Sequence, residues 1–219
     1  MTVLNSQISW CTGTLNLVVG CARVQPEGAC KNCYAEVTVN RVYGGGFFNQ
    51  IRLFPERLKD LRKFAPAKEE DGQLAPKMVF LNSLSDFWFE KIPDTFIHNA
   101  LDVMERHPHT IMQILTKRPG RMRRIIVDRY RAKGVPEHFW LGVTAEDNRV
   151  TRMLDLMRAT KDEVGDFTAF ASVEPITAPA DQLNFTGIDW VLTGGESGPK
   201  ARPMQFEWLE QVHDKVLGA

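Results

Sequence analysis

The chain has 219 residues, of which 43% are hydrophobic and 25% charged, with 27 Lys and Arg against 27 Asp and Glu. That composition excludes a disordered chain. A formal charge of zero excludes bulk attraction to nucleic acid, so any such binding must come from a local patch.

No apolar run is long enough for a membrane helix, and Met1–Ser6 lacks the basic and apolar blocks of a secretory leader. A cytoplasmic protein is expected (the host cytoplasm for a viral chain), folded as one domain over 1–219. A weak strand candidate, Leu15 to Val19, leads into the most informative stretch. All four cysteines, Cys11, Cys21, Cys30 and Cys33, lie in the first 33 residues. A disulfide framework would be spread along a shorter secreted chain, so these clustered thiols read as a metal or cluster site. Residues 40–76 are expected to be an excursion from the domain, with 65–76 an exposed loop.

From residue 77, apolar runs alternate with helical stretches. Strands are predicted at Met78–Leu81, Ile111–Leu115, Phe139–Val143, Phe167–Ala171 and Ile188–Leu192, rich in the branched and aromatic residues of buried parallel strands. Helices are predicted at 93–106, 121–133, 147–160 and 205–217, with Pro near a first turn and Gly after a last one as punctuation. Strands separated by helices imply right-handed crossovers. Six such units predict an α/β fold of the partial (βα)6-type parallel barrel rather than a full eightfold one. An open doubly wound sheet is the competitor, but no Gly-x-Gly-x-x-Gly follows an early strand.

Each late strand runs directly into a polar signature: Asn82-Ser83-Leu84-Ser85-Asp86, Thr116-Lys117-Arg118-Pro119, Thr144-Ala145-Glu146-Asp147, Ser172-Val173-Glu174-Pro175 and Thr193-Gly194-Gly195-Glu196-Ser197-Gly198. In a parallel barrel these segments converge on one rim, where ligands bind. Asp86, Asp147 and Ser197 also suit simple helix caps. Glu146, Glu174 and Glu196 are read as a shared site. Cys30-Lys31-Asn32-Cys33 is a C-x-x-C pair, and Cys21 lies nine positions before Cys30. Three thiolates suit a [4Fe–4S] cluster with one iron left open. A zinc knot completed by Cys11 and a redox dithiol are the other readings.

Gly20-Cys21, Gly28 and Cys30-Lys31-Asn32-Cys33-Tyr34-Ala35-Glu36 resemble the phage three-cysteine family related to radical S-adenosylmethionine (SAM) enzymes. So do Phe54-Pro55-Glu56-Arg57-Leu58, the strand-end signatures, Trp140-Leu141-Gly142-Val143 and Ala201-Arg202-Pro203-Met204. The resemblance runs in order along nearly the whole chain. Members of that family include phage enzymes that rearrange an amino-acid-modified thymine during hypermodification of viral DNA. The resemblance implies that Cys21, Cys30 and Cys33 hold the cluster and that SAM chelates its open iron. An external electron donor would then drive cleavage of the sulfonium to a radical that abstracts a substrate hydrogen. It implies SAM contacts among Ser83, Ser85, Asp86, Glu146, Glu174, Gly194, Gly195 and Glu196, with Glu146, Glu174 and Glu196 catalytic. Here eight residues separate the first two cysteines, and Gly194-Gly195-Glu196 follows the last strand rather than an early one. Ser83, Ser85 and Asp86 therefore stand where the SAM amine would be met.

Lys117, Arg118 and Arg202 are candidates for substrate carboxylate or phosphate. Residues 117–133 carry eight basic residues against Asp128 alone, which reads as a surface for DNA phosphates or as a solvated helix face. Phe87-Trp88-Phe89 reads as a base-stacking wall or a packing hinge. The expected function is a radical SAM isomerase converting N-α-glycinyl-thymidine to its C-α isomer in phage DNA. A radical SAM repair lyase and a zinc-stapled nucleic-acid-binding module are the alternatives.

Overall fold

The computed structural model describes residues 1–68, 74–198 and 200–219. Seven strands form the main sheet: β1 (Thr2–Val3), β2 (Gly13–Leu15), β3 (Lys77–Leu81), β4 (Thr110–Thr116), β5 (Phe139–Thr144), β6 (Ala169–Val173) and β7 (Trp190–Thr193), in that spatial order. β1 is antiparallel to β2, and every later pairing is parallel. Five helices accompany them: α1 (Tyr34–Tyr43), α2 (Asp94–Glu105), α3 (Pro119–Tyr130), α4 (Arg152–Val164) and α5 (Phe206–Leu217). The five parallel strands from β3 onward and helices α2 to α5 lie near the places the sequence predicts, whereas α1 is not among the predicted helices. The crossover from β6 to β7 is irregular chain without a helix.

The first parallel strand is shifted from its expected place. Gly13–Leu15 pairs with β3, whereas Val18–Val19 leaves the sheet to pair antiparallel with Arg52–Leu53. Asn82 causes the divergence. It sits at φ 59, a left-handed conformation that Asn tolerates, and its Oδ1 accepts the amides of Leu17 (2.8 Å) and Val18 (3.2 Å). Those amides are thereby taken from the sheet. Residues 47–49 and 55–64 form tight helical turns, the latter burying Leu61 and Phe64 against the core. Of the loop expected at 65–76, residues 69–73 lie outside the described residues.

The two faces of the sheet are filled differently. Alternate residues such as Val79, Leu81, Ile114, Leu141, Val143 and Ala171 are fully buried against the helices. The opposite, concave face carries an aromatic plug. Trp10 lies 4.6 Å from Phe80 and 6.3 Å from Phe170, with Trp190 5.6 Å from Trp140 beside them. Gly142 makes room for this plug, since a Cβ there would meet the Phe170 ring at 2.3 Å. Burial on both faces is why these strands read as continuous apolar runs. Phe87, Trp88 and Phe89 are buried too, so they are a packing hinge and present no face to a base. Among the described residues no helix is long and apolar enough to cross a membrane.

Candidate active site

A cavity of about 510 Å³ opens at the carboxyl ends of the parallel strands. The segments after β3, β4, β6 and β7 reach it through Ser83, Ser85 and Asp86; Lys117 and Arg118; Glu174; and Gly195 and Glu196, respectively. Cys21, Cys30 and Cys33, from the loop after β2, line the same cavity. Glu146, Gly194 and Arg202 stand behind its wall and contact residues that form it. Cys11 is buried outside the lining, with its thiol facing the Ile8 carbonyl at 3.7 Å.

The cysteine loop has a built path. Gly20 (φ 96) passes so close to residue 50 that a Cβ would meet the Gln50 carbonyl at 2.1 Å, and the Cys21 amide bonds the Phe48 carbonyl at 2.8 Å. Cys33 is the residue before α1, and Tyr34 Oη donates to the Ser83 carbonyl at 2.8 Å. All three thiols are free. Burial pushes the Cys21 thiol up to about 11, with the Asp86 charge adding to it. A zinc knot needs four ligands about 2.3 Å from one ion. Among the described residues no three His, Cys, Asp or Glu side chains are grouped to hold one ion, and Cys11 is turned away. Three soft sulfurs lining one cavity are a donor set that suits an iron–sulfur cluster.

The carboxylates divide by what they already bind. Asp86, 7% exposed, accepts the Thr116 hydroxyl (2.8 and 2.9 Å) and the amides of Lys117 (2.9 Å) and Trp88 (3.0 Å). It ties the end of β3 to the end of β4. Glu146 Oε1 accepts the Ala29 amide at 3.1 Å, and its buried Oε2 has no partner among the described residues. Burial pushes its carboxyl upward. Gly28 passes close beside it, so that a Cβ there would push the Glu146 carboxyl from its place. Glu174 is half-buried and also pushed upward by burial, with Gly194 leaving space for its carboxyl.

Glu196 behaves in the opposite way. The Arg202 guanidinium, 2.6 Å away, holds its carboxyl down to about 2, against 4.5 ordinarily. An acid with a lowered folded-state pKa stabilises the fold above its unfolded value and loses that contribution as pH falls toward the folded one. In urea melts, the stability gap between the natural chain and Glu196→Gln should be full above about pH 5 and shrink as pH falls through 4 and 3. A gap that does not change with pH would break this assignment.

The basic run at 117–133 is not a free cationic surface. Arg121 and Arg124 pair with Asp94, Arg129 with Asp102 and Glu105, and Arg123 and Arg131 with Glu163. Lys133 lies 3.3 Å from Glu105. The acids come from α2 and α4, which flank α3, so the run is an interhelical ion-pair lattice. Arg118 bonds Glu90 at 2.6 Å and the Ala22 carbonyl at 2.9 Å, with its guanidinium over the Phe89 ring. Lys117 remains, on the cavity wall with its backbone amide on Asp86.

Sequence reasoning missed three participants. Asn32 bonds Glu196 at 2.8 Å, Trp10 joins the plug to the cavity wall, and Thr116 relays Asp86 to the Arg118 amide at 2.8 Å. Asn32 was visible inside the C-x-x-C pair. Nothing in the sequence around Trp10 marks it.

The fold is an open, mostly parallel α/β sheet with a three-cysteine loop at its carboxyl rim. Residues 5–219 match the family described as a protein of unknown function, DUF5131, and the chain belongs to that family. No curated protein matches it. Two solved structures share its fold. A cysteine-to-serine variant of spore photoproduct lyase is 16% identical, with a TM-score of 0.54 over 80% of this chain and 49% of its own. A doubly substituted variant with bound AdoMet and dinucleoside spore photoproduct is 11% identical, with a TM-score of 0.57 over 98% of this chain and 63% of its own. The chain thus spans about half to three fifths of the length of these structures.

Proposed function

We propose that the protein is a radical SAM enzyme acting on a modified pyrimidine in DNA. Within that class, the reading is an isomerase that converts N-α-glycinyl-thymidine to C-α-glycinyl-thymidine. The observation that carries the class is that Cys21, Cys30 and Cys33, and not Cys11, line one strand-end cavity. They would hold a [4Fe–4S] cluster. With SAM bound, that cluster supplies hydrogen-atom abstraction from a carbon that no side chain could deprotonate. An external donor would provide the electron.

The remaining residues bind and orient. Ser83 and Ser85 line the cavity wall, their hydroxyls donating to Asn16 Oδ1 (3.3 Å) and the Val18 carbonyl (3.1 Å), so each presents an acceptor oxygen beside the Tyr34 contact that fixes the cysteine loop. Lys117 suits a carboxylate and Glu174 an amine, and both line the cavity. That pairing favours a substrate carrying an amino-acid substituent. Trp10 and Phe80 supply an apolar wall for a pyrimidine and keep water from the reacting carbon. A target in duplex DNA would have to be extruded to reach this depth.

A lyase acting on a thymine lesion is the second reading, favoured by the fold shared with the structure holding dinucleoside spore photoproduct. Anaerobic incubation with SAM, a reductant and DNA carrying either glycinyl-thymine or the thymine lesion separates the two. The isomerase yields a nucleoside of unchanged mass and new chromatographic retention, because the hydrogen abstracted at the outset is returned to the rearranged product. Consumption of the lesion alone, with glycinyl-thymine untouched, transfers the assignment to the lyase. Colourless protein holding stoichiometric zinc overturns the class.

A further inference from the structure

We infer that Glu196, Arg202 and Asn32 form a latch that holds the cysteine loop in its ligating shape. Glu196 and Arg202 are then positioning residues rather than contacts for SAM or substrate. The inference rests on the cluster reading proposed above.

Their bonding capacity is already used. Arg202 donates through Nη1 to the Glu27 carbonyl (3.0 Å), through Nη2 to the Gly28 carbonyl (2.9 Å) and Glu196 Oε1 (2.6 Å), and through Nε to Glu196 Oε2 (3.0 Å). Glu196 Oε2 also accepts Asn32 Nδ2 (2.8 Å) and the Arg202 amide (2.9 Å). A planar fork with both edges engaged has little left for an incoming anion.

The engaged atoms are informative. Glu27 and Gly28 belong to the turn that ends at Cys30, where the Gly28 and Cys30 amides both bond the Gln25 carbonyl. Asn32 lies between Cys30 and Cys33. Arg202 therefore grips the carbonyl side of this turn, while Glu146 takes the Ala29 amide from the other side at 3.1 Å. At the far end of the loop, Arg118 holds the Ala22 carbonyl at 2.9 Å, one residue after Cys21. Eight residues between Cys21 and Cys30 carry an ordering entropy that one internal turn does not cover. Side chains from three different strand ends share the work of keeping the thiols in register.

The test starts with apo protein, before any iron is added. Alkylation rates at the four cysteines are read by peptide mass spectrometry for the natural chain, Arg202→Gln and Arg202→Lys. Arg202→Gln is expected to speed alkylation of Cys30 and Cys33 by about tenfold or more, through local opening of the loop. Cys11 should be unchanged, and Arg202→Lys should fall between. General unfolding would release Cys11 as well, so its rate separates a latch from a folding defect. After reconstitution, Arg202→Gln should retain less iron and show an altered electron paramagnetic resonance signal of the reduced cluster. Its SAM affinity per assembled cluster should stay within about twofold of the natural chain. Unchanged alkylation overturns the latch, as does a large loss of SAM affinity with iron content and spectrum intact. Protected thiols in a natural chain that takes up no iron would overturn the cluster reading while leaving the latch standing.

Discussion

Replacing Cys21, Cys30 and Cys33 together by alanine is expected to turn an anaerobically reconstituted brown protein, with about four irons per chain, into a colourless one. Deoxyadenosine formation from SAM should fall to background in the same sample. The physical reason is that these sulfurs are the soft donors lining the cavity, and the nearby oxygen and nitrogen ligands are hard or already engaged. Cys11→Ala is the matched control. Its thiol is buried behind the Ile8 carbonyl, so iron content should stay at the natural level. The apo fold should tolerate the triple change. Cys21 Sγ makes one long contact, 3.5 Å to the Ala22 carbonyl, and the cost should be about 1 kcal/mol per site. Iron analysis, absorbance and a thermal melt of each apo protein check all three statements. Full iron in the triple variant, or its loss in Cys11→Ala, would sink the ligand assignment.

The largest effect on stability should come from Asp86→Ala. Removing this carboxylate leaves the Thr116 hydroxyl and the amides of Trp88 and Lys117 without their acceptor at the largely buried edge of the cavity. An unsatisfied buried donor costs about 1–3 kcal/mol, and bonds to a charged acceptor are the stronger kind. A loss of roughly 3–5 kcal/mol follows, against a total stability on the order of 5–15 kcal/mol. The melting temperature should fall by about 6–20 °C for a chain of this size. Asp86→Asn keeps one oxygen acceptor and should lose about half as much. Urea unfolding of the three apo proteins provides the measurement. A loss under about 1 kcal/mol in Asp86→Ala would mean that the carboxylate is free for a ligand and is not the tie between β3 and β4.

The parallel strands were legible for a definite reason. Burial between helices on one face and an aromatic plug on the other suppresses polar alternation, so the strands from β3 onward show as largely apolar runs with few polar residues such as Gln113. The start of the sheet was less legible. β2 has three residues, and the apolar Val18–Val19 beside it belongs to another ribbon because Asn82 takes the intervening amides. α1 follows the cysteine loop directly and carries exposed Val37 and Val42, so its apolar residues mark no single buried face. The basic run misled for the complementary reason. A charge count along one helix does not include Asp94, Asp102, Glu105 and Glu163, which arrive from α2 and α4.

By itself the sequence determined the class of architecture, the clustering of the cysteines and the gathering of polar residues behind the strands. Each of these depends on the order of residue types along a chain whose sheet strands from β2 onward point one way. The tertiary structure alone decided which carboxylates and cations the fold consumes and which face the cavity. Asp86 is spent on backbone amides, Glu196 and Arg202 on the cysteine loop, and the α3 arginines on neighbouring helices, whereas Lys117 and Glu174 face the cavity. A side chain's capacity to bind a ligand is what remains after its folded neighbours are satisfied, and those neighbours lie tens of residues away along the chain.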